Sequence, residues 1–178
     1  MGFQENYLKS VLFEFQRYKS MGDKTFAQIS DDDIHWEYAE TDNSIAVIVK
    51  HMVGNMLSRW TNFLTEDGEK SWRERDLEFE GSYISKSEMT TAWEKGWKCL
   101  FDALSQIDAT NFQNKITIRG EEHTIVEAIN RQLAHYASHI GQIVFIGRMI
   151  KGSEWTSLSI PKGASKAFNK KMFGTGKH

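Results

Sequence analysis

Apolar residues recur every three or four positions in four long stretches of the chain. These stretches cover about residues 4–28, 44–64, 86–107 and 125–150. Such spacing places the apolar side chains on one face of an α-helix, so each stretch predicts an amphipathic helix. Ser85 with Glu88, and Thr124 with Glu127, form capping-box patterns where the third and fourth helices begin. The chain's one proline, Pro161, lies outside all four stretches, so no proline interrupts them.

The segments between these helices predict one small hairpin and two irregular regions. Residues 115–124 alternate apolar and polar side chains around Gly120, which is typical of two short strands and a turn. Residues 65–84 are polar and charged and predict a long loop. The tail, residues 151–178, is rich in Gly, Lys and Ser and is expected to be irregular. We therefore predict an all-α fold, a four-helix bundle with a small β-hairpin between helices 3 and 4 and an irregular C-terminal tail.

Composition and charge narrow the functional classes. A chain of 178 residues with 40% hydrophobic and 26% charged residues predicts one folded domain, residues 1–178, with the bundle at about 4–150. The formal net charge of −2 disfavours a general nucleic-acid binder. No apolar run approaches the roughly 20 residues of a membrane helix, and a single cysteine, Cys99, allows no intrachain disulfide. These features predict a cytoplasmic protein without nucleic-acid or membrane partners.

Two histidines lie four residues apart inside the predicted fourth helix. His135 and His139 therefore share one helical face, where two imidazoles can converge on one divalent metal ion. The alternative is a pair of histidines that only form hydrogen bonds. The residue after His135 is Tyr136, so the glutamate of a His-Glu-x-x-His zinc peptidase is absent and that class is disfavoured.

A metal site of this kind needs a third ligand, and His51 is the best candidate. It lies inside the predicted second helix, and helical bundles build metal sites from side chains on facing helices. Taken alone, His51 is more often an ordinary core or boundary histidine with its hydrogen bonds satisfied. Asn55, one turn further along, and Gln142, beside His139, are the polar residues expected near the same pocket.

The order and spacing of these residues resemble a known superfamily. Residues 43–55, which include His51, resemble the second-helix signature of the DinB/YfiT-like superfamily of metal-binding four-helix bundles, and residues 29–36 resemble the loop before it. The match covers about residues 4–150, whereas the loop 65–84 and the tail resemble an uncharacterised DinB-like subgroup. The resemblance implies that His51, His135 and His139 hold one divalent metal ion, nickel or zinc, with water in open positions.

The resemblance also implies a metal-dependent enzyme that activates a thiol or water, of the thiol-dependent transferase or hydrolase type. Its substrate would be a small molecule, and a low-molecular-weight thiol could be the cosubstrate, so Cys99 need not be catalytic. The superfamily's habit of pairing through helices implies a homodimer. Two alternatives remain open: a non-catalytic, stress-associated bundle that binds metal or a ligand, and a metal-free interaction bundle. No catalytic acid or base can be named from the sequence.

Two arginines in the predicted loop 65–84 are candidates for anion binding. Arg73 and Arg75 could bind a carboxylate or phosphate, because the guanidinium group presents a planar fork of donors. The alternative is a solvated charged loop.

Overall fold

A computed structural model describes residues 2–174, which fold into five α-helices and one antiparallel hairpin. The elements are α1 (Phe3–Phe26), α2 (Ile45–Trp60), α3 (Lys86–Ser105), β1 (Lys115–Ile118), β2 (Glu121–Thr124), α4 (Ile125–Lys151) and α5 (Ser165–Gly174). The mostly helical character and the small hairpin are confirmed. Helix α2 packs against α3 and α4, and α1 packs against α4 and α3. None of the described helices is both long enough and apolar enough to cross a membrane.

Local side-chain bonds fix where α3 and α4 begin. At α4 the capping box is complete: the Glu127 amide donates to Thr124 Oγ1 at 3.2 Å, and the Thr124 amide donates to the Glu127 carboxylate at 2.8 Å. At α3 it is half formed, because the Glu88 amide donates to Ser85 Oγ while the Glu88 carboxylate accepts from the amide of Ile84. The start of α4 in turn fixes the positions of the histidines further along it.

Fully buried aromatic rings join the helices. Phe15 of α1 meets Trp97 of α3 with ring centroids 6.3 Å apart. Trp97 meets Tyr136 of α4 edge to face at 5.9 Å. Rings in such arrangements contribute stability beyond the area they bury. Because Tyr136 follows His135 directly, this aromatic contact also holds α4 in place at the histidine pair.

The connection between α2 and α3 is longer than a simple loop and lies against α2. It contains a short 3-10 turn, Asp76–Phe79, within the segment 65–84 that the sequence predicts as a loop. The Lys50 ammonium group donates to the backbone oxygens of Leu77 at 2.6 Å and Glu80 at 2.7 Å. These bonds hold the turn beside α2 and bring the side chain of Glu78 to His51.

The expectation of an irregular tail is wrong over Ser165–Gly174, which forms α5. Ala164, Phe168 and Met172 recur every four residues, and this helical spacing is hidden among glycines, lysines and serines. Residues 175–178 of the predicted tail lie outside the described residues.

Candidate metal centre

Three histidines from two helices converge on one point. His51 Nε2, from α2, lies 3.2 Å from His135 Nε2, and His139 Nε2 lies 3.0 Å from the same atom. The candidate ligand atoms of all three side chains lie within 4.8 Å of one another. Within residues 2–174, this is the one group of three or more His, Cys, Asp or Glu residues arranged so that it could hold a metal ion.

The opposite ring nitrogens of two of these histidines contact acceptors. His51 Nδ1 lies 2.9 Å from Glu78 Oε2, and His139 Nδ1 lies 2.7 Å from Gln142 Oε1. An acceptor at Nδ1 holds the proton there, so the Nε2 lone pair is left facing the point of convergence. Partners of this kind are typical of metal-binding histidines, because they fix both the tautomer and the orientation of the ring.

Hydrogen bonding between neutral rings accounts for only one of the two close Nε2 contacts. With the Nδ1 protons held by Glu78 and Gln142, the Nε2 atoms of His51 and His139 are both acceptors. His135 Nε2 carries at most one proton and can donate to only one of them. A metal ion accepts all three lone pairs, and two ligand atoms about 2.0–2.1 Å from one ion lie about 2.9–3.4 Å apart. The observed separations of 3.0 and 3.2 Å fit that range.

The two histidines of α4 are held in their neutral, unprotonated form. Burial, with the nearby charges of His139 and His51, lowers the pKa of His135 to about 3. Burial also lowers the pKa of His139, although its hydrogen bond to Gln142 opposes the change. Both imidazoles are therefore neutral near pH 7, which is the form that binds metal.

Glu78 is the functional residue that the sequence analysis missed. Its carboxylate is buried between His51 and Arg73, whose Nε donates to Oε1 at 2.8 Å and whose second terminal nitrogen donates to Oε2 at 3.0 Å. Burial alone would raise the pKa of Glu78, but the hydrogen bonds from His51 and Arg73 lower it below its usual value. An ionised carboxylate is thus held on His51.

Gly54 makes room for this carboxylate. A Cβ atom at position 54 would lie 2.2 Å from Glu78 Oε1 and 2.8 Å from its Cδ. Glycine inside a helix costs about 0.5–1 kcal/mol relative to alanine, so its presence needs a reason. A glycine three residues after His51 was the available sequence signal that another chain segment approaches closely here.

The predicted pocket residues are in different positions relative to the histidines. Gln142 contacts His139 directly. Asn55 instead accepts a hydrogen bond from the Tyr136 hydroxyl at 2.9 Å, and that hydroxyl accepts one from Trp60 Nε1 at 3.2 Å. Asn55 therefore ties α2 to α4 one turn away from His51, and it lines a small cavity together with His51 and His135.

The two predicted anion-binding arginines differ in their surroundings. The Arg73 side chain is 2% exposed and is paired with Glu78, so a solvated loop does not describe it. The Arg75 side chain is about half exposed, with its guanidinium group 5.4 Å from the centre of the Phe79 ring. Binding of an external anion by either residue stays a prediction.

Cys99 does not belong to the histidine cluster. It lies half-buried on α3, and its Sγ atom is 3.6 Å from Thr61 Oγ1. Its observed polar contact is therefore with a hydroxyl group, not with a base that would activate it as a nucleophile.

A mostly apolar cavity of about 590 Å³ adjoins the centre on the Gln142 side. We call it the aromatic cavity, and the residues that matter here are Trp36, Tyr38, Gln142, Phe145 and Met149. Its size is in the range of small-molecule sites. Gln142 both lines this cavity and contacts His139 at Nδ1, so the cavity borders His139 on the ring side that faces away from the point of convergence.

Comparison with known proteins gives one match. The model of the family described as "Protein of unknown function (DUF1572)" matches residues 2–164, which include the three histidines and Glu78. No curated protein and no solved structure matches the chain.

Proposed function

The chain belongs to the DUF1572 family, and we propose that it is a metal-dependent enzyme in which His51, His135 and His139 bind one divalent metal ion, nickel or zinc. The observation that carries the proposal is the convergence of three Nε2 atoms whose rings are fixed from behind by Glu78 and Gln142. The proposal includes membership of the DinB/YfiT-like superfamily and its four-helix bundle, which the positions of the histidines on α2 and α4 support.

Three protein ligands leave coordination positions open, as in catalytic rather than structural zinc sites. When bound, the ion supplies a Lewis acid that lowers the pKa of a thiol or a water molecule. The protein's own part is to keep His135 and His139 neutral through burial, and to orient His51 and His139 through the contacts of Glu78 and Gln142. The aromatic cavity would take the small-molecule substrate beside Gln142.

The proposed reaction is transfer to a low-molecular-weight thiol, or hydrolysis. The thiol would come from a cosubstrate, because Cys99 contacts Thr61 and does not belong to the histidine cluster. We further propose a cytoplasmic homodimer without nucleic-acid or membrane partners. The single cysteine supports the cytoplasmic location. The net charge of −2 supports the lack of nucleic-acid partners.

One observation favours the alternative of a non-catalytic, stress-associated protein that binds metal or a ligand. Glu78 is the carboxylate that contacts one of the three histidines, His51, and it is also bonded to Arg73. It is therefore not free to act as a general base, so any proton transfer would need a group of the substrate or solvent.

An assay of thiol consumption distinguishes the proposed thiol transferase from the non-catalytic alternative. Protein loaded with nickel or zinc is mixed with cysteine and 1-chloro-2,4-dinitrobenzene, where a sulfur–carbon bond forms and chloride leaves. We expect the wild type and the matched control His123→Ala, altered in β2 outside the cluster, to accelerate loss of the thiol. The triple variant His51→Ala, His135→Ala, His139→Ala should not. A metal-loaded wild type that accelerates neither this reaction nor transfer to other simple electrophiles would contradict the transferase proposal.

A further inference from the structure

A second, smaller cavity borders the metal centre and is lined mainly by arginines. Its volume is about 220 Å³, and His51 and His135 form part of its wall. Five guanidinium groups complete much of the lining, those of Arg59, Arg73, Arg75, Arg119 and Arg131. We call this space the arginine cavity. The side chains of Arg59 and Arg73 are buried, and a buried charge needs either a carboxylate of the protein or an external anion beside it.

The protein's own carboxylates account for only part of this charge. Arg59, Arg73 and Arg119 share Glu69, with nitrogen–oxygen distances of 3.2, 3.7 and 2.9 Å. Arg73 is also paired with Glu78. Arg75 reaches only the exposed Asp76, at 3.7 Å. Four of the five arginines are therefore paired with three carboxylates, and the cavity keeps an excess of positive charge.

Arg131 is the arginine of this cavity without a protein partner. It lies on α4, four residues before His135, and forms no hydrogen bond or ion pair with any described residue. A structural role in tying the segment 65–84 to the fold accounts for Arg59, Arg73 and Arg119. That role does not account for Arg131.

Two buried polar atoms of lining residues also lack a partner. Arg59 is 5% exposed and Gln132 is 3% exposed, and both line the arginine cavity. Among the described residues, Arg59 Nε and Gln132 Oε1 form no hydrogen bond. Buried polar atoms are nearly always satisfied by protein, water or ligand.

We propose that the arginine cavity binds an oxyanion group of the substrate, a carboxylate or a phosphate, and so holds the reacting part of that molecule at the metal centre. This rests on the function proposed above. Guanidinium groups are well matched to both oxyanions, because their parallel N–H donors contact two oxygens at once. His51 and His135 also line this cavity, so the oxyanion would lie beside two of the proposed metal ligands.

The test compares two exposed arginines of α4, Arg131 in the cavity and Arg148 outside it. Inorganic phosphate and acetate are titrated in separate experiments into the wild type, Arg131→Gln and Arg148→Gln, and binding is followed by NMR. We expect at least one anion to bind the wild type and Arg148→Gln equally. Arg131→Gln should bind it about tenfold more weakly, the loss expected for a hydrogen bond to a charged group. Whichever anion binds identifies the group that the site recognises.

A further experiment tests whether anion binding depends on the metal site. In the His51→Ala, His135→Ala, His139→Ala variant, the anion should still bind, and Arg131→Gln in that background should still weaken it. Loss of metal with retained anion binding would leave the arginine cavity standing even if the catalytic proposal fails. Absence of binding by both anions to the wild type, or equal affinities of Arg131→Gln and Arg148→Gln, would overturn the inference.

Discussion

The two ring nitrogens of His51 contact different partners: one faces Glu78 and the other faces His135. Its Nδ1 lies 2.9 Å from Glu78 Oε2, and its Nε2 lies 3.2 Å from His135 Nε2. Phe79 covers the ring, with centroids 4.9 Å apart. The side chain is therefore held from behind and from one face, so little ordering remains to be done when an ion binds.

Replacing Glu78 by glutamine tests this support at His51. The amide keeps the volume but loses the charge that accepts from both His51 and Arg73, so we expect metal affinity to fall about 10- to 100-fold. Competition with a metal-binding dye measures the change. Glu74→Gln, on the exposed part of the same connection, is the matched control and should bind as the wild type does. Equal affinities of the two variants would show that Glu78 does not support the site.

The lowered pKa values of His135 and His139 predict how the metal-free protein responds to pH. Below the ordinary histidine pKa of about 6.5, the unfolded chain takes up protons that the folded histidines do not. The unfolded state then binds more protons, so the free energy of unfolding falls as pH drops from 7 to 5. This loss continues toward pH 3, the approximate pKa of folded His135.

Thermal melts of chelated protein between pH 7 and 5 measure this dependence. The wild type should lose more melting temperature over that interval than the His135→Gln, His139→Gln variant, which lacks both groups. His123→Gln, altered on β2, controls for removal of a histidine elsewhere. If the double variant and the wild type lose melting temperature equally, the two histidines do not titrate as proposed.

The Asp76–Phe79 turn is the element that completes the centre, although it belongs to a connection and not to a main helix. Lys50 holds it to α2 through the backbone oxygens of Leu77 and Glu80, and Gly54 leaves the space that the Glu78 carboxylate fills. The Asp76–Phe79 turn can therefore pack against α2 because residue 54 has no side chain.

Gly54→Ala separates helix propensity from the fit of this turn. Alanine favours the helix by about 0.5–1 kcal/mol, but its Cβ would lie 2.2 Å from Glu78 Oε1. We expect helix content to stay unchanged by circular dichroism while metal affinity falls about 10- to 100-fold through the displaced Glu78. The control is Gly141→Ala on α4, whose Cβ would meet nothing within 4 Å and which should raise the melting temperature. Unchanged metal affinity in Gly54→Ala would contradict the account.

These elements also show what local sequence patterns can predict. Helical periodicity identifies α1 to α4, and the i, i+4 spacing places His135 and His139 on one face. The bond between His51 and Glu78 joins residues 27 positions apart, across a polar segment without periodicity. Its position depends on tertiary contacts such as those of Lys50, which no local pattern contains. The sequence analysis did not predict α5, because the Gly, Lys and Ser content of the tail indicated an irregular segment. That content hid the four-residue spacing of the apolar side chains in this region.

The molecule as a whole should not need the ion in order to fold. Phe15, Trp97 and Tyr136 are fully buried and join α1, α3 and α4 without a contribution from the histidine cluster. A core of this size distinguishes the protein from small zinc domains, which unfold without metal. Bound metal should still raise the melting temperature, because it binds only the native state.

Elemental analysis of protein purified without chelators tests the central claim most directly, with circular dichroism on the same samples. The account predicts about one nickel or zinc ion per wild-type chain, and the same content in His123→Ala. It predicts almost none in the His51→Ala, His135→Ala, His139→Ala variant, which should keep its helical spectrum. Equal ion content in the wild type and the triple variant would contradict the proposed metal centre.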